Sequence, residues 1–299
     1  MGFKGLADEI LQRTQLKLRR LRWEALSKSS KRVTIHTKQG IFTVLSEDQV
    51  IGKALYCYRE FELDLISKAM DLLRSSSNFP QKGEGTLVDI GANNGIISIA
   101  LLNSGEMEKA IAIEPEPQNF SLLQHNVKQN GLSDRVLCLQ YAASDRKGEI
   151  LFELSSNNFG DHRVRVSSQM DGNELYNESS RRVITVNSDL LDSILADAPD
   201  IFSQNISLMW IDVQGHEGHV FMGARNFLSK GIPVVSEIWP YAIRRTGMSK
   251  EQFCEIIKSI WSSFWVMRHG RFVQYPITIF DFFFDELSYD KQDNIIFTR

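Results

Sequence analysis

No apolar run among the 299 residues comes near eighteen in length, so none reads as a membrane-spanning helix. Cysteine is scarce as well. Cys57, Cys138 and Cys254 are odd in number, far apart and mostly inside apolar runs, which excludes a disulfide framework and suits reduced packing residues. The first residues carry charge where a secretory leader would be apolar, so the expectation is a soluble, cytoplasmic protein. Internal repeats and low-complexity tracts are absent, which excludes a repeat architecture. A surplus of positive charge is missing too. The net charge is -3, and residues 1–38 hold ten Lys/Arg against three Asp/Glu, leaving 24 basic against 34 acidic residues in the rest. An acidic body is a poor nucleic-acid binder, because that affinity rests on Lys and Arg neutralising phosphates.

What is present is a hydrophobic content of 42%, enough for a full core. Residues 6–26 space Leu11, Thr14, Leu18, Leu21 and Ala25 at helical intervals, with Arg13, Lys17 and Arg20 on another stripe. Such a basic amphipathic helix packs on its own domain or touches an anionic membrane surface or a partner. Alternating stretches in 33–44 around Gln39-Gly40 predict a hairpin, and 59–74 a helix leading into the core. From Thr86 the text alternates. Strands are expected at 86–90, 110–114, 136–140, 206–212, 233–237 and 263–267, with helices to about Leu102, at 118–129, 217–229 and 249–260. Extra strands at 149–154 and 182–186 flank a polar stretch, 155–181. The segment from Ile279 through its phenylalanines and the closing Asn294 to Thr298 read as edge strands, one of them antiparallel. Repeated βα units imply an α/β, Rossmann-like, doubly wound and mainly parallel sheet with helices on both faces. The division is an N-terminal extension, 1–80, followed by the main domain, 81–299.

Residues 86–95, Thr-Leu-Val-Asp-Ile-Gly-Ala-Asn-Asn-Gly, run from a buried strand into a loop carrying Asp89, Gly91, Asn93 and Gly95. About twenty residues on, Ala-Ile-Ala-Ile-Glu places Glu114 at the tip of the next strand. Gly91 and Gly95 are expected to let the backbone approach a ligand, and Glu114 to accept from both hydroxyls of a ribose. A dinucleotide needs Gly-x-Gly-x-x-Gly under its pyrophosphate, and Asp89 would repel that group. S-adenosylmethionine (SAM) has no phosphate and carries a sulfonium and an ammonium, so an acid at the strand end attracts it. Ligands of open α/β sheets lie beyond the carboxyl ends of the strands, which predicts that Asp89, Glu114, Asp145 and Asp212 face one crevice.

Together these pieces resemble the FkbM family of SAM-dependent methyltransferases. The matching text is Val88-Asp-Ile-Gly-Ala-Asn-Asn-Gly95, Ile113-Glu-Pro-Glu-Pro117, the helix Phe120 to Gly131 with Asn126 and Asn130, Ala142-Ala-Ser-Asp145, Leu191-Asp192, Ile211-Asp-Val-Gln-Gly-His-Glu217 and Val235-Ser-Glu237. The resemblance implies the seven-stranded class I methyltransferase sheet, SAM as donor, and O-methylation of a hydroxyl on a sugar, glycan, polyketide or related metabolite. It also implies that Asp145 meets the adenine amino group. Gln214 departs from the family, which often has glutamate there.

Methyl transfer to an alcohol is helped by a base, and Asp212, His216 and Glu237 are the candidates. His216 and His219 stand three apart, not four as in His-Glu-x-x-His, so no metal site is expected. After the fourth strand Asp212-Val-Gln-Gly lacks the prolines and aromatic of amino-methylating nucleic-acid enzymes, which disfavours a base as acceptor. Residues 155–181 read as a lid or as a solvated connection, and Trp239-Pro240-Tyr241 as a sugar-stacking or a packing group. Two other functions stay open, a SAM-binding module without turnover and a nucleotide-dependent oxidoreductase.

Overall fold

The computed structural model describes residues 3–29, 31–76, 78–165, 174–287 and 290–299. The chain opens with α1 (Phe3–Ser27), the hairpin β1 (Arg32–His36) and β2 (Ile41–Leu45), and the helices α2 (Ile51–Tyr58) and α3 (Leu63–Arg74). Five alternating elements follow: β3 (Thr86–Ile90), α4 (Ile96–Asn103), β4 (Lys109–Ile113), α5 (Pro117–Gln129) and β5 (Val136–Leu139). Next come β6 (Ala142–Ser144), β7 (Gly148–Leu154), β8 (Arg163–Val164) and β9 (Arg182–Leu190), which form a separate four-stranded sheet. The chain then adds α6 (Leu191–Ala196), α7 (Asp200–Ser203), β10 (Ile206–Ile211), α8 (Glu217–Gly223), α9 (Arg225–Ser229) and β11 (Val234–Ile238). It closes with α10 (Pro240–Arg245), α11 (Lys250–Ile260), β12 (Ser263–Arg268), β13 (Arg271–Pro276), α12 (Phe280–Glu286) and β14 (Asp293–Thr298).

The main sheet has the order β13-β12-β14-β11-β10-β3-β4-β5. From β5 to β11 every pairing is parallel, and β14 is inserted antiparallel between β11 and β12. Eight strands replace the seven implied by the resemblance. The additional one is β13, which closes a hairpin on β12 at the outer edge. Successive residues of the inner strands point to opposite faces, so Val88, Ile90, Ile111 and Met209 enter one apolar cluster while Leu87, Ala110, Ala112 and Leu208 enter the other. Local chemistry fixes helix starts: Glu116 caps α5 ahead of Pro117, and Ser249 with Gln252 forms a capping box on α11.

Several expectations are corrected. Ile279 to Phe284 is helical, because Phe280, Phe283 and Phe284 sit at i, i+3 and i+4 and fill the core while Phe282 is exposed. The closing strand is antiparallel but internal rather than an edge. The helix expected over 59–74 starts at Leu63, after Arg59 and Glu62 in left-handed conformations, and 217–229 is broken at Ala224. On α1 the stripe Leu11, Leu18 and Leu21 is exposed. Anchorage comes instead from fully buried Trp23 against Tyr56, with Arg19 donating to the Cys57 carbonyl and Arg20 to the Tyr58 hydroxyl. A flat indole buries more apolar area than a row of leucines facing outward, and the guanidiniums fix its register.

Residues 1–80 share a core with the rest. Trp23, Phe42 and Val44 belong to the same apolar cluster as Leu87 and Ile99. Asn126 and Asn130 of α5 accept from the backbone N–H groups of Thr43 and Ile41, sealing the β2 edge against α5.

Candidate active site

The sheet's carboxyl ends open onto a smaller pocket of about 610 Å³ and a wider cleft of about 1990 Å³, each including its open mouth. The two meet at Ile51, Phe159, Gly160, His162 and Asp212. Ile51 comes from α2 and the Phe159–His162 segment from the loop after β7. Neither cavity is therefore built from the main sheet alone.

In the smaller pocket, Glu114 stands at the end of β4 with 4% exposure and accepts from the Asn93 and Glu116 backbone N–H groups, both at 2.9 Å. Burial pushes its carboxyl up to about 8 against the pull of those two donors. Its remaining lone pairs are available to a ligand. Asn93, left-handed at φ 50, donates from Nδ2 to the Phe159 carbonyl at 2.7 Å, and Asn119 donates to the same oxygen at 3.0 Å. The pocket's other end is apolar, formed by Ala142, Ala143, Val213, Phe152 and Val164. No lysine or arginine lines it, and burial lowers its two histidines, His162 to about 4 and His216 to about 3, so both are neutral.

Three cofactor-side expectations change. Asp89 turns away from the pocket lining. Its Oδ2 accepts from the Ser98 hydroxyl and backbone N–H, at 2.7 and 3.1 Å, tying β3 to α4, while burial raises it to about 6. The glycines serve packing first: a Cβ on Gly91 (φ +81) would overlap the Asp212 carbonyl, and one on Gly95 (φ +90) would come within 2.8 Å of Leu123. Gly91 lines the pocket; Gly95 does not. Asp145 lies outside the lining, paired with His219 Nδ1 at 3.1 Å.

On the cleft side, the turn after β10 carries Gln214 at φ 54 and Gly215 at φ 103. Glu217 folds it back, its Oε1 accepting from the N–H groups of Val213 and Gly215 at 3.1 and 3.2 Å. Gln214 Nε2 donates to Asp212 Oδ1 at 2.7 Å and Glu237 Oε2 at 2.8 Å, bridging the two carboxylates. Burial raises Asp212 to about 6, and burial together with the Asp212 charge raises Glu237 further. The two carboxyl groups therefore titrate as a pair, each raised by burial and by a neighbouring carboxylate. His216 does not join them. It lines the smaller pocket and not the cleft, its Nε2 lies 2.9 Å from Ser144 Oγ, and burial lowers it to about 3, which makes it a weaker proton acceptor than Asp212.

The sequence reading missed Glu62, whose carboxyl is pushed up to about 7 by the surrounding protein and then by Asp212. Its side chain keeps open surface because the cleft it lines is open to water. A polar residue just before a helix carries no local mark of this. Of the 155–181 stretch, residues 166–173 lie outside the described residues, and the flanks line the cleft through Asn157, Tyr176 and Arg181. Trp239 and Tyr241 are packing groups, with Trp239 against Tyr176 and beneath the Arg163 guanidinium. Among the described residues no three His, Cys, Asp or Glu side chains converge as metal ligands, and no helix is long and apolar enough to cross a membrane.

A model described as the methyltransferase FkbM domain matches residues 89–276. The 2-O-methyltransferase NoeI of Sinorhizobium fredii (strain NBRC 101917 / NGR234) is 30% identical over 156 residues, 50% of this chain and 61% of that protein. Methyltransferase FkbM from Methylobacillus flagellatus KT aligns with a TM-score of 0.43 and 16% identity, over 83% of this chain and 54% of that one. TYW2 of P. horikoshii, solved in complex with MeSAdo, gives 0.41 and 12% over 90% and 70%. The chain thus spans little more than half of the first two relatives. The family match covers more than half of the chain and takes in Glu114, the Gln214 turn and the strand end bearing Glu237: this protein belongs to the methyltransferase FkbM domain family.

Proposed function

We propose that the protein is a SAM-dependent O-methyltransferase acting on a hydroxyl of a sugar, glycan or similarly hydroxyl-rich small molecule. The observation that carries the reading is the junction at Asp212 of a smaller pocket lined by no lysine or arginine with a wider polar cleft. The pocket suits SAM: an apolar slot for a purine, Glu114 for ribose hydroxyls, and Asp212 beside a positive centre. A dinucleotide's pyrophosphate would find no cation there. SAM supplies a methyl group on a sulfonium carbon, already activated for in-line displacement by an oxygen.

The chain's own residues then align the acceptor and take its proton. Asp212, ionised above about pH 6, accepts the hydroxyl proton, while protonated Glu237 donates to an acceptor oxygen. Gln214 holds both carboxyl groups in fixed directions. The cleft's composition supports a neutral polyol: amides such as Asn157, Asn177 and Gln292 offer donors and acceptors, Phe61 and Tyr176 offer ring faces, and carboxylates outnumber the arginines. The name of the relative, a 2-O-methyltransferase, supports a hydroxyl acceptor.

Calorimetric titration with SAM, S-adenosylhomocysteine and NAD, followed by tritium-methyl transfer to a library of hydroxylated acceptors, tests this. Binding of NAD alone would refute it. One observation favours a second reading, a SAM-binding module without turnover: Gln214 and Glu237 are nearly buried and already paired with each other. SAM binding with no transfer to any acceptor would select that reading.

A further inference from the structure

Among the described residues two imidazole nitrogens are buried without a hydrogen-bond partner, His216 Nδ1 and His219 Nε2, and His216 lines the smaller pocket. Its ring is 3% exposed and stacked on His219 at 4.4 Å and 13°, which fixes its plane. Neighbouring groups determine its proton. Partial burial raises Asp145, but hydrogen bonds from His219 and Ser144 outweigh that and hold the carboxyl below its ordinary range, so it is an ionised acceptor. The Ser144 hydroxyl, 3.1 Å from Asp145 Oδ1, turns its single proton there. Toward His216, Ser144 Oγ is left only to accept. His216 Nε2, at 2.9 Å, must then be the protonated nitrogen, and in a neutral ring Nδ1 is a bare lone pair.

With the Nε2 edge turned to Ser144, Nδ1 is the ring's unpartnered polar atom, and the residue lines the pocket together with Ala142, Ala143 and Val213. A purine suits that slot. A purine amino group buried there without an acceptor would lose its bonds to water, as would the imidazole lone pair. We infer that His216 reads the exocyclic amino group of the donor's adenine, accepting from it at Nδ1, and that Ser144 and Asp145 are positioning residues that fix the required tautomer. This rests on the SAM reading above. Asp145 thus acts three hydrogen bonds away from the base instead of touching it.

Titration of S-adenosylhomocysteine against S-inosylhomocysteine, which has a carbonyl oxygen in place of the amino group, separates the possibilities. Wild-type protein is expected to prefer the adenosyl compound at least about tenfold, since the inosyl oxygen faces a lone pair. His216→Phe should reduce the preference to less than about threefold. Asp145→Ala, at a partly exposed position, should also narrow it by freeing the Ser144 proton, and it carries the test if His216→Phe fails to fold. A purely structural role would weaken both ligands in proportion and leave the ratio unchanged. Equal wild-type affinities, or a ratio unmoved in both variants, overturn the inference while leaving SAM binding intact. Failure of wild type to bind either compound overturns the SAM reading and this inference with it.

Discussion

The Glu114 pocket, proposed for the methyl donor, and the cleft, proposed for the acceptor, share a wall but are held together by different forces. Around the pocket, backbone groups do the fixing: two N–H groups hold Glu114, and the strand ends cannot move without breaking sheet ladders. Around the cleft, side-chain charges do it. Arg163, Arg165, Arg181 and Arg245 interlock with Glu153, Asp161 and Glu178, largely buried, and tie β7, β8 and the start of β9 together, with Asp161 and Arg181 on the cleft wall. A methyl donor is the same for every member of a family, whereas acceptors differ. The pocket is accordingly made of the part of the fold least able to vary, and the cleft of replaceable side chains.

The largest effect expected falls at the junction. Asp212→Asn keeps a partner for Gln214 but removes the base, and the turnover rate should fall by about 10² to 10⁴-fold. In wild type, kcat/KM should be low below pH 6 and rise as Asp212 loses its proton near 6; the variant should lose that rise. A pH profile unchanged in Asp212→Asn would remove Asp212 from the chemistry. Next is the arginine network. Arg163→Met strands Asp161, Glu153 and Glu178 with one cation fewer, and breaking a buried ion network costs about 3 to 5 kcal/mol. Denaturant unfolding should show that loss, while the KM for acceptor should rise more than the dissociation constant for SAM. Equal weakening of both would mean the two regions are one mechanical unit. On the pocket side, Glu114→Ala orphans the Asn93 and Glu116 N–H groups and removes the ribose acceptor. SAM affinity should drop by roughly 30 to 100-fold in calorimetry, from about 2 to 3 kcal/mol for the lost ribose hydrogen bonds and the two stranded N–H groups. Unchanged affinity would show that the ribose lies elsewhere.

The same division explains what could be read before the structure was known. The position of Glu114 was legible because its strand is short, apolar after Lys109 and followed directly by the acid, so one local pattern fixed both element and direction. The parallel series and the hairpin were legible for the same reason. Asp89 was misplaced because its partner, Ser98, lies nine residues on across a helix start, and nothing in the spacing distinguishes an acid facing a ligand from one anchoring a helix. Glu62 and Phe159 reach the site only through tertiary packing of α2, α3 and the β7–β8 loop. The phenylalanine run was misread because β propensity and a helical i, i+3, i+4 pattern coexist in it, and burial decided for the helix.

The smallest effect expected is also the one that most sharply separates the two regions. Gln214 lines the cleft and not the pocket, and it is the single neutral group between Asp212 and Glu237. In Gln214→Glu the bridging N–H groups vanish and three carboxyl groups meet, so the cluster must bind an additional proton to stay together. The rise in kcat/KM should then shift upward from about pH 6 toward neutrality, because Asp212 ionises against a more negative surround. Near pH 8.5, where enough protons have left, turnover should return to within about threefold of wild type, and SAM affinity should be unaltered throughout. A Gln214→Met variant distinguishes charge from orientation: it adds no acid, so a lowered rate with no shift in the pH profile would show that the amide matters for aiming the two carboxyl groups. A loss of SAM binding in either variant would instead mean that the turn after β10 serves the donor pocket, and the separation of backbone-held pocket from charge-held cleft would fail at the residue where it is expected to be cleanest.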